Sequence, residues 1–155
     1  MPIEIRRFGV GNRRSVGPPG SVGLTGQVLH SDGRATVSEL AFARDARIEP
    51  HSSPNTTYFI VVEGGGWVGV DDEWTRIAAG EAALWPAHVP HTAWTEHSEM
   101  RAFVVELAGA DDRGTVLGRA DDVEPGALPI ERGTGQLAAR TGPSDGTDPS
   151  DGEPA

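Results

Sequence analysis

The sequence predicts an all-β fold, a small closed antiparallel barrel, on three observations. Between residues 35 and 107, short runs of β-branched and aromatic residues alternate with turns marked by Gly and Asp. No segment keeps a 3.6-residue apolar period over three turns, so no helix separates these runs. Many short strands at close spacing make a sandwich or barrel, and 155 residues suit one domain.

The strands follow in chain order. Residues 36–44 form the first, with Val37 and Leu40 to Phe42 as apolar content. Residues 57–63 form the next, and Gly64-Gly65-Gly66 is expected to stop it. Residues 67–70 run to the turn signal Asp71-Asp72, and their hairpin partner covers 74–78, closing at Ala79-Gly80. Residues 81–86, 91–95 and 101–107 complete the set.

Composition divides the chain into three regions. Residues 1–34, rich in Gly and Arg, read as an N-terminal arm packing on or between barrels. Residues 35–110 form the barrel and contain all four Trp. Residues 111–155 form an acidic tail, largely disordered and fully so from about residue 126, because it has too little apolar surface to offset ordering entropy.

Charge and cysteine content exclude several functions. The net charge is −10, with 9 Arg against 13 Asp and Glu in residues 1–107 and 4 against 10 in residues 108–155. An acidic chain without a basic stripe is no nucleic-acid binder. The absence of Cys removes disulfides, thiolate metal sites and thiol nucleophiles. No apolar run matches a signal peptide or a membrane span, so the expected location is the cytoplasm. The Gly-rich arm lacks the spacing of a phosphate-binding loop, and no Ser-His-Asp arrangement is supportable.

One constellation stands out. His51 closes Arg-Ile-Glu-Pro-His, and Gly64 follows 13 residues later. A second run reads Gly80, five residues, Pro86, one residue, His88, two residues, His91. Residues of like parity on a strand share a face, so Thr57, Phe59 and Val61 belong together, as do His91, Ala93 and Thr95. Two histidines on separate inward faces can meet across a barrel mouth.

These residues resemble the cupin family. Its first motif is Gly, five residues, His-x-His, three or four residues, Glu, six residues, Gly, and residues 45–64 fit it in frame. Its second motif is Gly, five residues, Pro-x-Gly, two residues, His, three residues, Asn, and residues 80–95 fit that. The resemblance implies a double-stranded β-helix, or jelly roll, and a homodimer paired through edge strands and N-terminal segments. It also implies a metal held by three His and one Glu at His51, Ser53, Thr57 and His91. Only the two histidines survive there. Asp45 and His88 stand where the motifs have Gly, and Thr95 stands for the final Asn.

That donor set shapes the functional expectation. Two imidazoles with Ser and Thr hydroxyls supply no anionic ligand and should hold a divalent ion (iron, manganese, nickel or zinc) weakly. His88 is the obvious recruit, although a solvent-facing loop histidine describes it better. Glu39 and Glu106 lie on candidate strands, with no pattern setting their direction. The first reading is therefore a metal-poor or metal-free barrel binding a polar small molecule through His51, Ser53, Asn55, Thr57, His91 and Trp94. The second is a metal-dependent or His-based enzyme of dioxygenase, isomerase or cyclase type using His51 and His91: either a two- or three-His metal centre activates water or oxygen, or His91 is a metal-free acid/base residue. The third is a non-catalytic module whose arm or tail binds a partner protein. Against these stand plainer roles: inherited scaffold histidines, turn-forming hydroxyls, and Trp85 and Trp94 as packing, one of them walling the pocket.

Overall fold

The structure is a computed structural model and describes residues 1–108. The acidic tail expected at 111–155 lies outside these residues. The described chain is all strand and turn: β1 (Arg14–Ser15), β2 (Val22–Ser31), β3 (Ala35–Arg47), β4 (Thr56–Val70), β5 (Glu73–Ala78), β6 (Ala82–Trp85), β7 (His91–Trp94) and β8 (Met100–Leu107). All pairings are antiparallel. β3 pairs with β8, β8 with β4, β4 with β7 and β7 back to β3 through Arg47 and Trp94, which closes the barrel. Among the described residues, no helix is long and apolar enough to cross a membrane.

The glycine run at 64–66 does not stop a strand. β4 continues through it for 15 residues and serves two sets of neighbours. Its first half pairs with β6 and β8, and its second half with β5 and β7. A bulge at Val61–Glu63 precedes Gly64, whose φ is +68°. A Cβ there would collide with the Glu99 carbonyl oxygen, and one on Gly66 with that of Trp94. Glycine is needed because neighbouring backbones approach too closely for a side chain.

Residues 22–31, assigned by composition to the arm, form β2, which pairs with β3 from Val22–Arg47 to Ser31–Thr36 and buries Leu24 and Val28. Residues 1–13 lie across the outer sheet face. Gln27 Nε2 donates to the Arg7 carbonyl at 2.6 Å, and Phe8 meets Phe103 edge-on at 5.8 Å. Arg13 and Arg101 each bond the fully buried Glu39 carboxylate at 2.9 Å. Burial pushes the Glu39 carboxyl up, but the two guanidinium hydrogen bonds prevail and hold it below the ordinary value.

Alternation sets the core. Leu40, Phe42, Phe59, Val61, Met100 and Ala102 point inward and pack together, with Phe42 edge-on to Phe59 at 5.8 Å. Glu39 and Arg101, one residue out of phase with these neighbours, face outward.

Candidate functional site

The two histidines meet through their backbones. His51 lies in the connection between β3 and β4, and His91 opens β7. His51 N–H donates to the His91 carbonyl at 3.2 Å, and His91 N–H donates back at 2.8 Å. This bridge sets the rings edge to face with centroids 4.5 Å apart, both buried. Each Nδ1 lies against a main-chain carbonyl, Glu49 O at 3.0 Å for His51 and Val89 O at 3.2 Å for His91. A carbonyl only accepts, so each ring carries a proton on Nδ1.

A second polar group occupies the same interior. Thr36, Thr57 and Glu106 form one cross-strand row on β3, β4 and β8, all buried. Ser53 Oγ donates to Glu106 Oε2 at 3.1 Å, and Asn55 Nδ2 donates to the same oxygen at 2.8 Å. Ser53 Oγ also accepts the Asn55 main-chain N–H at 3.2 Å, so the loop before β4 is folded around this carboxyl. Glu106 belongs to the site, and its signal is parity: Met100, Ala102, Val104 and Glu106 alternate on one face of β8.

Trp85 is the aromatic wall. It lies opposite Thr57 and stacks on His91 at 4.2 Å and 10°, with Phe59 behind it at 4.8 Å and 20°. Trp94, expected on the pocket, occupies the other face of β7. Three positions beyond His91, it has opposite parity and stacks on its cross-strand neighbour Trp67 at 6.1 Å. It lines a separate surface cleft of about 550 Å³ with Arg47, Asp45 and Thr95.

The sequence departures have backbone consequences. Asp45 and His88, which replace motif glycines, both hold positive φ, +55° and +66°. His88 offers its main-chain N–H to the Ser53 carbonyl at 2.7 Å while its side chain is exposed. It is therefore a loop residue outside the His51–His91 pair. His88→Gly should raise stability by about 0.5–1 kcal/mol, because an L-residue is strained in this region. Denaturant unfolding of the two proteins checks this.

The model of the family described as Cupin domain matches residues 39–106. The chain carries a cupin domain. Solved structures share its barrel at low identity. A Cupin 2 conserved barrel domain protein from Salinispora arenicola is 17% identical with a TM-score of 0.59, covering 69% of this chain and 90% of the other. The polyketide cyclase RemF from Streptomyces resistomycificus is 20% identical, TM-score 0.58, covering 67% and 80%. KdgF from Halomonas sp. is 22% identical, TM-score 0.55, covering 64% and 90%. Among curated protein sequences, none matches this one.

The cupin motif positions do not fit the metal that the family pattern implies. His51 and His91 supply two imidazoles, while Ser53 directs its hydroxyl proton to Glu106. Among the described residues, no group of three or more His, Asp or Glu side chains is arranged to hold an ion. Catalytic zinc usually has three protein ligands and structural zinc four, and non-haem iron two His with a carboxylate.

Proposed function

We propose that the barrel interior binds a polar small molecule through side chains rather than through a resident metal. The observation that carries this reading is the set of buried polar groups on the inner face: His51, His91, Ser53, Asn55, Thr57 and Glu106. These side chains bring donor and acceptor atoms of several kinds into one buried layer, a mixture suited to an oxygenated ligand. A thermal-shift screen of polar metabolites on the full chain tests it. A genuine ligand should raise Tm in the parent and lose most of that effect in both His51→Ala and Asn55→Ala. Ligands whose shifts persist in both variants would overturn the reading.

One observation favours a catalytic version. His91 is buried, oriented at Nδ1 and braced by Trp85, which are conditions for an acid/base imidazole. A polyketide cyclase is among the proteins of similar fold, which supports this version by analogy of fold alone. Turnover of an identified ligand that disappears in His91→Ala supports that version, and turnover that survives both His51→Ala and His91→Ala rules it out. The expected homodimer is supported by exposed Ile3, Ile5 and Val10 on the arm and by Trp74 on edge strand β5.

A further inference from the structure

The outer face of the sheet carries a cross-strand row that plays no part in the barrel interior. In register order it runs Arg76 on β5, Trp67 on β4, Trp94 on β7 and Arg47 on β3. The Arg76 guanidinium lies over the Trp67 ring at 5.1 Å, and Trp67 stacks on Trp94 at 6.1 Å and 8°. The pattern breaks at its last step. Arg47 turns its guanidinium to Glu49 at 2.6 Å, and among the described residues no cation or ring covers the side of Trp94 away from Trp67. The surface cleft of about 550 Å³ lies on that side, because Trp94, Arg47 and Val22 line it and Trp67 does not. Asp45 lines it too, at the bend where β3 leaves β8 after Phe42 and joins β7 at Arg47. Thr95 fixes the bend, accepting the Ala46 N–H at 3.0 Å and donating to the Ala43 carbonyl. At the Asp45 φ of +55° glycine would suit the backbone better, so what aspartate adds is a carboxylate. That carboxylate is exposed and makes no hydrogen bond or ion pair among the described residues, whereas Glu49 neutralises Arg47.

We propose that this cleft is a second binding site, separate from the barrel interior, for a small planar organic cation of guanidinium or amidinium type. The cleft offers one open π face and one uncompensated negative charge. The cation lies against Trp94 as Arg76 lies over Trp67, and so continues the row. The ring quadrupole and the Asp45 carboxylate both favour positive charge. A delocalised planar cation suits them better than an ammonium, because it is more weakly hydrated and stacks on an aromatic face. A neutral planar molecule stacks on Trp94 but gains nothing from the charge of Asp45, and an anion is repelled by it. The net charge of −10 on the whole chain adds a long-range attraction of the same sign. This site stands whether or not the barrel interior takes a ligand.

Benzamidinium, benzamide and benzoate are probes of matched planar shape that carry positive, no and negative charge. Each is titrated into the ¹⁵N-labelled full chain at low salt. Binding is followed at the amides of Arg47 and Thr92 and at the Trp94 indole, assigned by its loss in Trp94→Leu. Benzamidinium should bind about tenfold tighter than benzamide, the combined effect of an exposed cation–π contact and an exposed ion pair, with benzoate weakest. Asp45→Asn removes the charge while keeping a residue type that tolerates positive φ, so the amide spectrum should show the fold intact. In that variant the preference should fall to about threefold, the share of the ring alone. Trp94→Leu should weaken benzamidinium and benzamide alike, and Asp45→Asn keeps the test decisive if the Leu variant disturbs the sheet. Equal binding of benzamidinium and benzamide would overturn the proposal in favour of a merely apolar cleft. Tightest binding of benzoate would overturn it in favour of Arg47 as the reader. An undiminished preference in Asp45→Asn, or no shift at these resonances with any probe, would also overturn it.

Discussion

Phe59→Ala should lower stability by about 3–5 kcal/mol, the range for removing a fully buried aromatic side chain. Phe59 is completely buried, edge-on to Phe42 and face-on to Trp85, so it joins the apolar core to the polar layer. Its removal leaves a cavity in the barrel interior, and Trp85 loses the support that holds it against His91. Ligand binding should therefore weaken along with stability. Phe59→Leu keeps most of the volume and should cost under about 1.5 kcal/mol. Denaturant unfolding checks both, and a loss below about 1 kcal/mol for the Ala variant would contradict this view of the core.

Glu39→Gln should destabilise the protein at neutral pH by about 1.5–3 kcal/mol, the range for hydrogen bonds to charged groups. The carboxylate is fully buried, but its partners keep 19% and 27% of their side chains in solvent, which moderates the loss. Because the folded carboxyl is held below its unfolded value, folding favours the ionised form. That stabilisation is complete above the unfolded value of about 4.3 and fades as pH falls through the lower folded one. The gap between parent and variant should thus be constant near neutrality and close as the solution is acidified below pH about 4. A difference measurement is needed because other carboxyls titrate in the same window. Asp32, held down to about 2 by the main-chain N–H groups of Arg34 and Ala35 and by His30, is one. A gap that widens on acidification would contradict the assignment.

Much of the fold was legible because its physics is local. Alternation placed Thr57, Phe59 and Val61 on one buried face, and the two histidine motifs marked loops at the same end of the barrel. What was not legible depended on contacts between distant strands. The glycines at 64–66 read as a stop, yet they are where β4 passes close to the Glu99 and Trp94 carbonyls. Trp85 and Trp94 both flank the His91 motif and either could wall the site; parity sends Trp94 to the other face of its strand, and Trp85 meets His91 through pairing with Thr57. Glu39 and Glu106 look alike as single residues on strands. Parity with Met100 and Ala102 turns Glu106 inward, beside Ser53 and Asn55, while Glu39, out of phase with Leu40 and Phe42, faces outward to Arg13 and Arg101.

The central claim, that side chains rather than a resident metal define this site, is tested most directly by the metal content of the full chain. The protein would be purified without an affinity tag or chelator, beside His51→Ala and His91→Ala. The account predicts metal well below one ion per chain in the parent, unchanged in the two variants. Near-stoichiometric iron, manganese, nickel or zinc that falls in both variants would contradict it.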